Sequence, residues 1–250
     1  MNLEVLFTPA DFGALKQRDL SQSVCVVFDI LRATTSMTNA LANGAAAIIP
    51  VSEIAQALEV KKQQPDVLLA GEREGLRIRA AQTGSIDFDL GNSPREFTAD
   101  KVRGKTIVMT TTNGTRALNA CVGAKQIFIA SFLNLRALAQ ALHGTENLLL
   151  VCAGTFEEAA YEDTLGAGAL ADFLWNDFSV GHISDSSQMA REIYLSAERD
   201  FAQAIQFSKN ARRLLANPDL HDDVPFCFQR DSLNFVAQMH DGIIRRTGKS

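Results

Sequence analysis

The chain has 250 residues, of which 46% are hydrophobic and 21% charged, with a formal net charge of −5. This gives room for one large core or two small ones in an ordinary globular balance. No Lys/Arg cluster exceeds a pair, which excludes a nucleic-acid partner, and no apolar run approaches the ~20 residues of a membrane span. The first residues carry no signal-peptide core. The four cysteines, Cys25, Cys121, Cys152 and Cys227, form no metal-ligand pair, so a reduced, cytoplasmic setting is expected.

Residues 4–7 predict a short strand and residues 24–29, Val-Cys-Val-Val-Phe-Asp, a buried one. The carboxyl end of the latter delivers Asp29, and Arg32 follows within a turn. A helix over residues 33–42 stops at Asn43-Gly44; a strand over 47–51, a helix over 53–62 and a strand over 67–70 lead to Gly71-Glu72-Arg73. Residues 74–91 have no periodicity and read as a surface excursion. They close on Gly91-Asn92-Ser93-Pro94-Arg95-Glu96, where Ser93 and Glu96 have capping-box spacing for a helix start and Gly91-Asn92 can present N–H groups to a ligand.

Residues 106–118 organise the chain. Thr106 to Met109 read as strand. Asn113-Gly114, a pair that tolerates positive φ, makes a turn, and a helix follows with Thr115 as its expected N-cap. Three hydroxyls, Thr110, Thr111 and Thr112, lie between. A strand–turn–helix junction aims free N–H groups and a helix dipole at one spot, so residues 110–115 predict a phosphate cradle; the plainer alternative is a polar connection without a ligand.

Segments 24–75 and 106–158 share the order strand, polar loop, helix, Gly-Ala, strand, and each continues through Ala-Gln-Ala-Leu, at residues 55–58 and 139–142. This implies a duplicated βαβαβ unit. The expected fold is α/β with a mainly parallel or mixed sheet: one compact unit over residues 1–250, with two lobes on these repeats and a mainly helical part over 159–250. Helices are expected over residues 157–178, with Glu162-Asp163 near the start and Gly166 to Ala169 allowing close packing, and over 187–195 and 198–216. Residues 224–228 read as an edge strand and the tail from Asp241 as frayed.

Ligands of open α/β sheets bind at strand carboxyl ends, where loops 29–35, 71–74, 110–115 and 152–158 gather. Gly104-Lys105-Thr106 lacks the first glycine of a P-loop and precedes its strand. Gly166-x-Gly168-x-x-Ala171 falls inside a helix, which excludes a dinucleotide fingerprint, and no cysteine has the Cys-x5-Arg spacing of a cysteine phosphatase. A carboxylate group remains, Asp29, Glu72, Glu162 and Asp163, without histidine or thiolate spacing; oxygen donors of this kind favour Mg²⁺.

Asp29-Ile-Leu-Arg-Ala-Thr34, Ala42-Asn-Gly-Ala45, Gly71-Glu-Arg73, Gly91-Asn-Ser-Pro94, residues 110–118, Cys152-Ala-Gly-Thr155 and Glu162-Asp163 occur in that order. In these stretches, and in Arg212-Arg-Leu214 with Phe226-Cys227, the chain resembles the 2-phosphosulfolactate phosphatase, ComB-like, family. The resemblance implies Mg²⁺-dependent hydrolysis of a phosphate ester on a sulfonated 2-hydroxy acid, giving sulfolactate and phosphate, in coenzyme M biosynthesis. The chain departs from that pattern in the longer segment 78–90 and the acidic Phe156-Glu157-Glu158.

Phosphoryl transfer needs charge neutralisation and positioning. Arg32 or Arg116, with Mg²⁺, is expected to neutralise phosphate oxygens, and Thr110, Thr111, Thr112 and the N–H groups of Asn113, Gly114 and Thr115 to hold them. Arg73 is expected at the substrate's carboxylate or sulfonate, with Asn92, Cys152 and Gly154 also contributing. Asp29 serves as metal ligand, base or nucleophile, and Asp29, Glu72, Glu162 and Asp163 are the metal candidates. A small anionic phosphorylated molecule is the expected partner, and a homodimer is admitted. The alternative is a non-catalytic binder of phosphorylated metabolites.

Overall fold

The computed structural model describes residues 1–247, an α/β fold around one eleven-stranded mixed sheet. The strands are β1 (Asn2–Leu6), β2 (Val24–Phe28), β3 (Ala47–Pro50), β4 (Leu68–Arg73), β5 (Leu76–Arg77), β6 (Thr106–Thr110), β7 (Gln126–Ala130), β8 (Asn147–Cys152), β9 (His182–Ile183), β10 (Val236–His240) and β11 (Ile243–Thr247), in the order β5-β4-β6-β3-β11-β10-β7-β2-β8-β1-β9. The helices that matter to the cleft and its supports are α1 (Ala33–Ala42), α2 (Ile54–Gln63), α3 (Gly114–Ala120), α4 (Leu135–Leu142), α5 (Tyr161–Phe178), α6 (Asp185–Glu198), α7 (Lys209–Leu215) and α8 (Asp223–Cys227). No helix among the described residues is long and apolar enough to cross a membrane.

Two parallel blocks make up most of the sheet, β4-β6-β3 and β7-β2-β8-β1-β9. Each interleaves the two similar segments: β2 of the first lies between β7 and β8 of the second, and β6 of the second lies between β3 and β4 of the first. The hairpin β10-β11 joins the blocks by antiparallel pairing on both sides, so the blocks run in opposite senses. Among the described residues a single pair, Ile244 with Ile48, links β11 to β3.

Burial explains the strand sequences. Val24, Val26 and Phe28 of β2 enter one core with Leu148, Leu150, Leu138 and Leu165, while Cys25 and Val27 enter another. Period-two alternation with both faces covered leaves no polar position in the strand. The second core joins Cys25, Val27, Ile127 and Ile129 to Ile48, Ile107 and Met109 of the other block, around Met37 and Leu118. This shared core wraps the blocks round one another and turns the carboxyl-end loops of both toward one cleft. Gly168 of α5 packs on α6, where an added Cβ would stand 2.1 Å from the Ala190 carbonyl oxygen; the small residues serve helix packing.

Several local expectations are corrected. The stretch expected as a strand over 224–228 is instead helix α8, ending at Cys227, because Val224 and Cys227 are one turn apart and both buried. The expected frayed tail is ordered as β11 over Ile243–Thr247, with Ile244 fully buried, and the Asp241-Gly242 turn at φ 50° and 74° makes the hairpin; residues 248–250 of that expectation lie outside the described residues. The N-cap position of α3 is Asn113, and Thr115 sits inside the helix with its N–H donating to Thr111 Oγ1 (3.3 Å). Ser93 starts only a 3₁₀ turn (Pro94–Glu96), since the Glu96 carboxylate turns to the Gly91 N–H (3.0 Å) and Arg77. Segment 74–91 is anchored, with Ile78 and Phe88 buried under β4 and α2. The helix expected from residue 157 begins at Tyr161, and that expected over 198–216 is broken by Asp200 and Ser208, each capping a new helix with its side chain.

Candidate active site

The cleft holds a cavity of about 280 Å³. Asp29 leaves the end of β2 into its wall. The Asp29 N–H donates to Thr34 Oγ1 (3.0 Å), and the Ala33 N–H, in the first turn of α1, donates to Asp29 Oδ1 (3.1 Å). Burial pushes its carboxyl up to about 7, against the pull of the Ala33 bond, and the charges of Glu72 and Glu162 push the same way. Glu72, at the end of β4, accepts from the Thr112 N–H (2.8 Å) and the Gly75 N–H (2.7 Å), so it ties loop 110–113 to the turn after β4.

Gly114 holds Asp29 and α1 close. Its φ is not positive; an added Cβ would lie 2.7 Å from Asp29 Oδ2 and 2.8 Å from Ala33 Cβ. The glycine is required by close approach and not by turn conformation, which corrects the expectation for this pair. Of the expected cradle, Thr112 and Asn113 line the cavity. Thr110 Oγ1 donates to the Ser52 carbonyl (3.1 Å), Thr111 Oγ1 accepts from Thr115, and Thr115 Oγ1 donates to the Thr111 carbonyl (2.9 Å); these hydroxyls build the loop. Thr112 Oγ1, Asn113 Oδ1 and Asn92 Oδ1 are buried and have no hydrogen-bond partner among the described residues. Asn92 is fixed through its carbonyl, which accepts from Ser36 Oγ (2.8 Å).

Arg32 and Arg73 reach the cavity and Arg116 does not. Arg32 is buried; its Nη1 donates to Asp223 Oδ2 (2.7 Å) and its Nη2 to the Gly75 carbonyl (2.8 Å). Asp223 also accepts from Ser93 Oγ (2.6 Å) and faces Arg95 Nε (3.3 Å), so α8 fixes two loops at once. Arg116 is exposed and pairs with Glu157 (3.0 Å).

Glu162 and Asp163, in the first turn of α5, support the site from behind. Asp163 accepts from the Ile30 N–H (2.8 Å) and the Gly154 N–H (3.1 Å), joining the loops after β2 and β8. Burial, with Glu162 and Asp29 nearby, pushes its carboxyl well above the ordinary carboxylate range. Glu162 accepts from Ser208 Oγ (2.7 Å) and Asn210 Nδ2 (2.6 Å), and Asn210 also donates to Thr155 Oγ1 (2.6 Å). Asn210, Thr155, Phe156 and Arg213 also line the cavity; the sequence puts Thr155 and Phe156 in a strand-end loop and Arg213 in a family-like stretch, but assigns none of the four a role. Among the described residues, no three His, Cys, Asp or Glu side chains form a metal-binding group. Of the four acids, Asp29 and Glu72 line the cavity.

Cys152 is fully buried, and burial with the charges of Asp163 and Glu162 pushes its thiol well above 9; it is a core residue with no thiolate to offer. Gly154 has φ 66°, and an added Cβ would meet the Glu158 carbonyl oxygen and Pro9 Cδ, both at 2.5 Å. Its role toward the cleft passes through the bond of its N–H to Asp163.

The model of the 2-phosphosulpholactate phosphatase family matches residues 12–242. The chain belongs to that family. A protein of Caldanaerobacter subterraneus subsp. tengcongensis is 36% identical over 245 residues, covering 96% of this chain and 97% of that one. A Thermotoga maritima protein is 38% identical over 218 residues (87% and 89% covered), and a Clostridium acetobutylicum protein 33% over 246 residues (98% and 100%). All three carry the name "Probable 2-phosphosulfolactate phosphatase". Family membership over nearly the whole length includes Asp223, Asn210 and Arg213 of the C-terminal helices, the part of the site furthest in sequence from its strand-end loops.

Proposed function

We propose that this chain is a Mg²⁺-dependent phosphatase that hydrolyses the phosphate ester of a small 2-hydroxy acid, with 2-phosphosulfolactate as the substrate its relatives' names indicate. The observation that carries this reading is the donor set of one cavity: two carboxylates, Asp29 and Glu72, beside three buried oxygens without partners, on Asn92, Thr112 and Asn113. Unpaired buried oxygens are costly, and two carboxylates repel a phosphate dianion unless a cation stands between them. All these donors are oxygen, as Mg²⁺ prefers, and it needs only one or two protein carboxylates. Asp29 and Glu72 would hold it, with an asparagine oxygen; when bound it supplies charge neutralisation and acidifies water.

The chain's own groups do the rest. Arg32, held by Asp223, faces the developing charge on the phosphate oxygens. The Thr112 hydroxyl has no partner among the described residues and can donate to one of those oxygens. Water attacks phosphorus, the P–O bond to the 2-oxygen of the hydroxy acid breaks, and the departing alkoxide takes up the proton that the attacking water gives up. Asp163 keeps the loops carrying Asp29 and Thr155 in register through Ile30 and Gly154. A phosphate-release screen over phosphorylated 2-hydroxy acids tests this: turnover of 2-phosphosulfolactate or a close analogue supports it, and tight binding without release of phosphate from any of them replaces it with a binding protein.

A further inference from the structure

Three guanidinium groups line the cavity, on Arg32, Arg73 and Arg213, and they differ in what they can still offer a ligand. Arg73 Nη1 donates to the Glu72 carbonyl (2.8 Å), and its Nη2 to the Ser52 carbonyl (3.3 Å) and Thr110 Oγ1 (3.1 Å). Both of its terminal nitrogens hold protein oxygens. Arg32 is anchored by Asp223 and Gly75 and shares the short loop after β2 with Asp29, which sets it at the carboxylate end of the cavity. Arg213 projects from α7, exposed, and among the described residues no carboxylate or carbonyl pairs with it. Gly75, at φ 81°, leaves the space between the two: an added Cβ would stand 3.4 Å from Arg213 Nη2 and 3.9 Å from Arg32 Nη2. Two guanidinium heads thus flank one glycine at the mouth of a cavity whose inner wall is oxygen.

Resting on the phosphatase reading, we propose that Arg213 recognises the substrate's second anionic group, the carboxylate or sulfonate carried by the same small molecule as the phosphate. Arg32 faces the phosphoryl end and Arg213 the other. A guanidinium fork suits a planar or trigonal oxyanion, and an unpaired one at the rim can take it without first breaking a protein contact. Arg73, which sequence pattern offers for this role, acts instead as a positioning residue that ties β4 to β6 and Ser52. Arg213 is therefore the side chain that separates diacid phosphates from simple phosphate esters.

The test compares two esters of matched size, phosphoglycolate and ethyl phosphate, which differ by a carboxylate in place of a methyl. For Arg213→Gln, the ratio of kcat/KM for phosphoglycolate to that for ethyl phosphate should fall roughly tenfold to a hundredfold, mainly through KM, the scale of one charge-assisted contact. Arg213→Lys should recover part of the ratio, since the charge remains without the fork. Arg213 is exposed on a short helix, so the variants should melt as the wild type does. An unchanged ratio in Arg213→Gln overturns the assignment, as does a ratio lost only in Arg73→Gln. A wild type that releases phosphate from neither ester, nor from any phosphorylated 2-hydroxy acid, overturns the phosphatase reading instead. Titration calorimetry of the same two ligands then decides Arg213 by binding alone: a preference for phosphoglycolate lost in Arg213→Gln supports it, and a preference absent or retained overturns it.

Discussion

Asp29→Asn should stabilise the metal-free protein, and more so at alkaline pH. The Asp29 carboxyl is raised from an ordinary 3.8 to about 7 by burial and by Glu72 and Glu162. A folded-state value above the unfolded one means that the group's contribution is fully present below the unfolded pKa and is lost as pH rises through the folded one. Ionisation of Asp29 therefore destabilises the fold progressively between about pH 4 and pH 7. The full shift corresponds to about 4 kcal/mol as an upper bound, and about 2.5 kcal/mol of it develops between pH 5 and pH 8. Asparagine keeps the acceptor for the Ala33 N–H and cannot ionise. Melts of wild type and Asp29→Asn in EDTA at both pH values should show a gap in melting temperature that widens by about 5–10 °C at pH 8 for a chain of this size. Mg²⁺ added at pH 8 should narrow the gap by stabilising the wild type alone. A gap independent of pH would refute the reasoning that a desolvated, charge-crowded carboxylate stands at this wall of the cleft.

Three further substitutions separate contact from support. Gly114→Val should lower kcat severely, because its Cβ would displace Asp29 Oδ2 and Ala33; a folded, fully active variant would remove this junction from the site. Asp163→Asn should reduce turnover by roughly a hundredfold by leaving the Ile30 or Gly154 N–H poorly paired, and unchanged kinetics would show that the two loops hold their positions without it. Cys152→Ser should cost about 1–3 kcal/mol of stability by burying a hydroxyl and leave most of the activity, measured by denaturant melts and phosphate release; a trapped phosphocysteine would contradict this.

Much of the fold is legible because its strands are buried on both faces. Val24 to Phe28 and Asn147 to Cys152 have no polar interior position, and their carboxyl ends had to carry loops. The interleaving of β2 with β7 and β8 is not legible, since strand neighbours are chosen by long-range packing and the local pattern of each βαβ unit is the same either way. The hairpin at Asp241-Gly242 was signalled, as Asp-Gly between apolar runs is a strong turn pair, but the basic residues around it read as a solvated tail. In the site, Asp29, Arg32 and Glu72 were findable as charged residues at the ends of apolar strands. Thr110, Thr111 and Thr115 were over-read because sequence shows a hydroxyl but not its partner, and theirs are backbone groups of the same loop and of Ser52. Asp223 and Arg213 lie more than a hundred residues beyond Arg32 and Gly75 in the chain, and only the fold brings them together.

The most direct measurement is the release of inorganic phosphate from 2-phosphosulfolactate by the purified wild type, in EDTA and after Mg²⁺ is restored, alongside Asp29→Asn. Release should be absent in EDTA, return with Mg²⁺, and fall by roughly a hundredfold or more in Asp29→Asn. Full activity in EDTA would contradict the cation between Asp29, Glu72 and the phosphate on which the proposed chemistry depends.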